Sequence, residues 1–256
     1  MKVEILLLLP MALLLPPRTW AGEIIGGQEA KPHSRPYMAY LDIQSGVNRS
    51  FCGGFLVSEN FVLTAAHCNG DKIIVKLGAH NIKQREWSQQ KISVRRRIPH
   101  PQYDKETFNN DIMLLQLAKS AKLNRWVKTI TLPFAKNSVK PGTMCSIAGW
   151  GRTSTETKST PDTLQEVNLK VLEDDVCMNN LDVTYNDYDA STMMCGGDLK
   201  KGKTSFKGDS GGPLVCGKTA QGIVSWGSED GRPPAVYTRV STFIPWIRVT
   251  MRRLQP

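Results

Sequence analysis

The chain has 256 residues, 40 % of them hydrophobic, enough for one large domain or two small ones with a real core. Glycine and proline are scattered, which excludes a collagen-like or low-complexity architecture. The net charge of +10 points to an anionic partner. There is no nucleic-acid motif and no basic–aromatic interleaving, so a sulfated glycan is favoured over DNA.

Residues 1–21 read as a secretory leader. Lys2 gives a basic start, ILLLLPMALLL is apolar, and small residues follow at Ala21 and Gly22. Pro10, Pro16 and Pro17 interrupt a run too short for a comfortable membrane span. A signal anchor is the alternative. No later stretch is apolar enough to span a bilayer, so the mature chain is expected to be soluble and exported. It opens on WAGEIIGGQEA, Trp20 to Ala30. Exposed ends are usually polar and mobile. Ile24, Ile25, Gly26 and Gly27 look built to go inside something.

Short β-leaning runs then recur: YMAYLDI, FLVSENFVLTAA, KIIVKLG, DIMLLQL, VKTITL, TMCSIAGW, EVNLKVL, GPLVC, QGIVSW and AVYTRV. Turn residues punctuate them. The pattern predicts an all-β sandwich or barrel, with room for two packed barrels. The tail STFIPWIRVTMRRL differs. Phe243, Trp246, Ile247 and Met251 fall near helical spacing, Ser241 or Thr242 could cap, and Pro245 is placed in the first turn. Basic residues at its end suit the helix dipole.

Cys52, Cys68, Cys145, Cys177, Cys195 and Cys216 favour disulfides in an exported chain. None has paired CxxC spacing, so no metal site is expected. Asn48-Arg49-Ser50 is a glycosylation sequon. Basic clusters lie at Arg95 to Arg97, Lys200 to Lys203, and Arg252 with Arg253.

Three motifs carry chemistry. In FKGDSGGPLVC, Ser210 sits among glycines that let backbone N–H groups approach a substrate. In LTAAHC, His67 lies between small alanines and a cysteine. The other histidines are His33, His80 and His100; His80 and His100 fall in polar, loop-like contexts and are expected to be solvated. In NNDIMLLQL, Asp111 precedes a buried strand. Each alone has a structural explanation. Together, in the order His, Asp, Ser, they point to nucleophilic catalysis.

With IIGG, AGWG, IVSWG and VYTRV, these motifs make the chain resemble a chymotrypsin-family serine protease from Ile24 to about Arg253. It is most similar to the granzyme, chymase and cathepsin G branch. KPHSRPYMAYL, LGAHNIK and TSFKGDSGGPLVC point to granzymes B and H. The resemblance implies a trypsin-like fold over residues 24–256: two packed six-stranded antiparallel β-barrels, divided near residue 130, with a C-terminal helix. It implies Ser210 as nucleophile, His67 as general base and Asp111 as its partner, on the family template. The N–H groups of Gly208 and Ser210 form the oxyanion hole. Ser225, Trp226 and Gly227 pair with an extended substrate. No cofactor is implied.

The same resemblance implies cleavage after Glu23 and insertion of the Ile24 amine beside Asp209. Gly22-Glu23 would be an activation dipeptide for a dipeptidyl peptidase. The implied bridges are Cys52–Cys68, Cys145–Cys216 and Cys177–Cys195; Phe206 replaces a cysteine of a further bridge found in many relatives. Implied partners are protein substrates, a heparin-like sulfated proteoglycan and serpin-type inhibitors, for a monomeric granule protease.

By the family pattern, Thr204 is the pocket floor and Ala235 a wall position where granzyme B carries Arg. With Gly227 they make an uncharged pocket for Phe, Tyr, Leu or Met at P1. An aspartate-specific protease, an elastase-like preference, and a non-catalytic heparin-binding or antimicrobial protein are the alternatives. Lys207 is expected to favour acidic groups near the scissile bond, Phe108 to shape the next subsite, and Glu229 and Asp230 to disfavour acidic residues.

Overall fold

The computed structural model describes residues 24–135, 138–156, 159–180 and 185–254. The expected leader and activation dipeptide lie outside the described residues. Strands β2 (Met38–Ser45), β3 (Asn48–Ser58), β4 (Phe61–Thr64), β5 (Lys72–Leu77), β6 (Gln90–Pro99) and β7 (Met113–Leu117) close a barrel in the order β2-β3-β4-β7-β6-β5. Strands β8 (Met144–Gly149), β9 (Gln165–Val171), β10 (Met193–Gly197), β11 (Pro213–Cys216), β12 (Thr219–Gly227) and β13 (Ala235–Arg239) form the second. Pairing of β8 with both β9 and β11 closes that ring, and β1 (Gln28–Glu29) adds to the outside of β9. All strand pairs within the two barrels are antiparallel.

Alternation along the strands fills each barrel. In β9, QEVNLKV, the residues Gln165, Val167, Leu169 and Val171 are buried while Asn168 and Lys170 face water. In β2, Leu41 and Ile43 point in, opposite Asp42 and Gln44. Three disulfides join Cys52–Cys68, Cys145–Cys216 and Cys177–Cys195. They are the pairs the resemblance implies. A short helix, α1 (Asp174–Met178), precedes β10.

The C-terminal helix, α2 (Val240–Leu254), leaves the second barrel and packs on the first. Its Val240, Phe243, Ile244 and Ile247 join the core that contains Phe55, Leu63 and Leu114. The helix starts earlier than the sequence suggests. Ser241 and Thr242 lie inside it, and Thr242 Oγ donates to Ser191 C=O at 2.8 Å instead of capping. Pro245 is therefore in the second turn, on the solvent face. Among the described residues no helix is long and apolar enough to cross a bilayer.

Other expectations need correction. VKTITL is not a strand but the connection between barrels, tied by Lys128 N–H to Pro36 C=O and Ile130 N–H to Leu56 C=O. The arginine cluster lies within β6. His80 is buried, not solvated; its Nε2 lies 2.8 Å from Glu29 Oε1, and its carbonyl accepts the Trp150 indole N–H. His100 is half-buried between the edges of Phe243 and Trp246, and that burial holds its pKa below the ordinary value.

Phe243→Ala should cost about 3–5 kcal/mol, because the helix cannot collapse into the cavity. Val249→Ala, on the exposed side, should stay within about 0.5 kcal/mol. Thermal or urea unfolding of both variants checks this docking.

Candidate active site

The two barrels contribute different groups to one cleft. His67 sits in a 3-10 turn (Ala66–Cys68) directly after β4, and Asp111 lies just ahead of β7, both from the first barrel. The Cys52 and Cys68 sulfurs lie within 4.8 Å of a His67 ring nitrogen, so the disulfide pins this turn. Ser210 and Asp209 come from the loop between β10 and β11 of the second. Gly53 N–H in β3 donates to Ser210 C=O at 2.8 Å and joins that loop to the first barrel. His67, Phe108, Lys207, Ser210, Trp226 and Glu229 all border the cleft, which encloses about 270 Å³.

Asp111 is fully buried and both its carboxylate oxygens are hydrogen-bonded. Oδ2 lies 2.7 Å from His67 Nδ1 and accepts Ser225 Oγ–H at 2.5 Å. Oδ1 accepts the His67 backbone N–H at 2.9 Å. The backbone carbonyl of Asp111 accepts Thr238 Oγ–H at 2.8 Å. Against a carboxylate, His67 Nδ1 carries the proton, so the other ring nitrogen is left as a base. Burial of His67 disfavours its charged form. The Asp111 charge and hydrogen bond outweigh that, and its pKa is raised.

Ser225 reaches Asp111 because β12 is irregular. The register against β13 shifts between Val224 and Trp226, leaving Ser225 as the extra residue of a bulge. Sequence reasoning assigned Ser225 only to substrate pairing and missed its bond to Asp111. Thr238 was missed altogether; its place on the strand after PPAVY gives no signal of its own.

Around Ser210 the backbone is set for close approach. Gly208 has φ +103°, and a Cβ there would lie 2.7 Å from the Phe51 ring. Among the described residues, neither Gly208 N–H nor Ser210 N–H donates to protein. Phe108 is held with φ +56°, unusual for a bulky residue, and meets the His67 ring edge-on at 5.7 Å.

Asp209 is a second buried carboxylate. It accepts N–H groups from Gly151 at 2.9 Å and Phe206 at 3.0 Å. Burial outweighs these bonds and raises its pKa to about 7. Ile24 has no exposure and packs among Ile147, Leu214 and Val224 in the same barrel. Gly27 must be glycine, since a Cβ would come 2.5 Å from the Glu166 carbonyl oxygen on β9.

The predicted pocket residues separate. Trp226, Gly227, Lys207 and Glu229 border the cleft, as does Ser225, whose hydroxyl is bonded to Asp111. Thr204 and Ala235 lie behind its lining and are buried. Among the described residues Thr204 Oγ has no hydrogen-bond partner, and Ala235 is paired in register with Gly227. Ser205, Phe206, Val224 and Ser228 complete the lining; Phe206 was marked by the resemblance as replacing a cysteine, and proximity to the named residues was the only sequence signal for the others. Asp230 is turned to Ser228 Oγ and Arg232. Asn48 is exposed at the start of β3.

Two closed barrels with a histidine–carboxylate pair facing a glycine-flanked serine define a serine protease. The trypsin family model matches residues 24–247. The chain is 56 % identical to human cathepsin G over 96 % of its length and 94 % of the relative. It is also 56 % identical to human granzyme B, over 96 % and 98 % of the two proteins. A solved structure described as "Structure of GrC" superposes with TM-score 0.84 at 50 % identity, covering 90 % of this chain and all of that one. The chain belongs to the trypsin family and is a serine endopeptidase of the granzyme and cathepsin G type.

In the continuous chain the nitrogen of Ile24 is an amide and offers Asp209 no cation. With its pKa raised to about 7, Asp209 holds a proton that the unfolded chain has lost. Its contribution to stability therefore falls as pH rises from about 4 to 7 and stays low above. Asp209→Asn should raise the Tm of the unprocessed chain more at pH 8 than at pH 5. Differential scanning calorimetry at the two pH values checks it.

Proposed function

We propose that this chain is a secreted granule endopeptidase that cleaves after large apolar residues, using Ser210, His67 and Asp111. The observation that carries the reading is the buried Asp111–His67 pair facing the same cleft as Ser210. Ser210 Oγ attacks the scissile carbonyl while His67 takes its proton. The imidazolium so formed is stabilised through Nδ1–H by Asp111. The proton then passes to the leaving amine, and water repeats the sequence on the acyl-enzyme. The undonated N–H groups of Gly208 and Ser210 receive the oxyanion.

Activation follows cleavage after Glu23 by a dipeptidyl peptidase. The freed Ile24 amine pairs with Asp209, converting an under-compensated carboxylate into an ion pair. The burial of both residues supports this.

The neutral surroundings of the pocket support an apolar P1 residue. Val224, Phe206 and Gly227 line it, with Ala235 and Thr204 behind. A buried cation or carboxylate would find no partner there. Exposed Lys207 and Glu229 at the rim act on flanking residues. The cytotoxic or defensive role follows the granzyme likeness, as does inhibition by serpins. A sulfated proteoglycan has a place around a cavity of about 480 Å³ bordered by Arg95, Arg96, Lys119 and Arg253. The exposed sequon supports a glycan on Asn48.

A peptide library varied at P1 tests the specificity after removal of Gly22-Glu23. Cleavage after Phe, Tyr, Leu or Met is expected. Cleavage after Asp would replace this reading with a granzyme B-like one. No cleavage, with no phosphonate labelling of Ser210, would leave a binding protein. Ala235→Arg should move the preference toward Asp and lower cleavage after Phe by about 100-fold.

Asp111→Asn should lower kcat by about 10⁴, the loss the family template gives. The raised His67 pKa places the wild-type acid limb above the ordinary histidine value, and D111N should move it down. The pH profile of kcat/KM separates this from misfolding.

A further inference from the structure

We propose that the ridge made by the β5–β6 loop and the inter-barrel connection docks onto an anionic phospholipid surface. Two segments meet there and lock. Gln90 Oε1 accepts Lys122 N–H at 2.8 Å, and Gln90 Nε2 donates to Lys122 C=O at 2.7 Å. The Trp87 and Trp126 rings meet edge to face with centroids 4.0 Å apart. The Arg125 guanidinium lies 4.0 Å from the Trp126 centroid. Beneath, Ser88 Oγ donates to Gly78 C=O in a buried bond, and Asn124 Oδ1 accepts the N–H groups of Trp126 and Val127.

This rigid ridge presents unusual chemistry. Trp87 is 73 % exposed and Leu123 is 52 % exposed. Large apolar side chains exposed together mark an interaction surface. Arg85, Lys122 and Arg125 are exposed around them. Among the described residues none of the three lies within 4.0 Å of a carboxylate. The acid of the ridge, Glu86, is spent inward on the N–H groups of His80 and Asn81 and on Gln89 Nε2.

The combination selects the partner. Trp and Leu seat at the boundary between headgroups and acyl chains, while arginine and lysine meet anionic headgroups. A sulfated glycan would use the cations and leave Trp87 and Leu123 in water. A neutral sugar would use the rings and leave the cations idle. An anionic lipid surface uses both. The inference does not depend on the hydrolytic reading.

Co-sedimentation of the processed chain with phosphatidylcholine vesicles, with and without phosphatidylserine, tests it. Binding is expected with phosphatidylserine and not without. The double variant W87S/L123S should lower partition about tenfold. It should leave hydrolysis of a soluble peptide, Tm and retention on heparin unchanged. R85Q, K122Q and R125Q should each cost about fivefold. Wild-type failure to bind phosphatidylserine vesicles overturns the proposal. So does W87S/L123S binding as wild type, which would assign binding to basic clusters elsewhere. Loss of heparin retention in W87S/L123S would assign the ridge to glycans and also overturn it.

Discussion

The carboxylate of Asp111 has no contact with water, and the cleft is organised around satisfying it. An unpaired charge at such depth would cost several kcal/mol. Its donors come from distant parts of the sequence: the turn after β4 supplies the His67 ring and backbone, and the bulge in β12 supplies Ser225. Thr238 on β13 holds the carbonyl of the same residue. The first barrel thus carries the charge and two of its donors, and the second supplies the third through Ser225. Separating the barrels would strip the Ser225 donor from Asp111 and the Thr238 donor from its carbonyl, so barrel packing and site geometry are coupled.

Asp209 poses the opposite problem on the other side of Ser210. It is equally buried but, among the described residues, has two backbone donors and no cation, and its pKa rises. The glycines around it leave little alternative, because a Cβ on Gly149 or Gly151 would overlap its carboxylate. One carboxylate is therefore fully compensated and the other is not. On the proposed activation, that contrast is where an inserted cation would act: the missing stabilisation is localised beside Ser210.

Much of this was legible in the sequence, for identifiable reasons. The β-leaning runs announced β2, β5 and β9, and in each one face is buried and the other wet. Strand β6 was hidden by its arginines, which occupy an exposed stretch. Strand β10, MMCGG, is buried throughout and has neither alternation nor branched residues. VKTITL looks like a strand but spans the gap between barrels, so its hydrogen bonds go to separate segments. The His, Asp and Ser motifs were readable because each is embedded in distinctive neighbours. The Ser225 bond was not, because a bulge is a property of pairing register, which a single strand does not encode. His80 looked polar in sequence because the acid that meets it, Glu29, lies 51 residues away.

Charge is divided between the cleft and the outer faces. At the cleft rim, Lys207 and Glu229 are of opposite sign, and the interior lining is neutral apart from the His67 pair. Most of the basic excess lies elsewhere, on β6, on the end of α2 and on the Trp87 ridge. Long-range attraction between exposed charges fades beyond about 10 Å at 0.1 M salt. Cations on outer faces therefore add little to discrimination inside an apolar pocket. On the proposed reading they would act on where the molecule resides, while shape and desolvation would act on what it cuts. Such a division lets basic surface residues change without altering P1 preference, since the two properties share neither side chains nor a screening length.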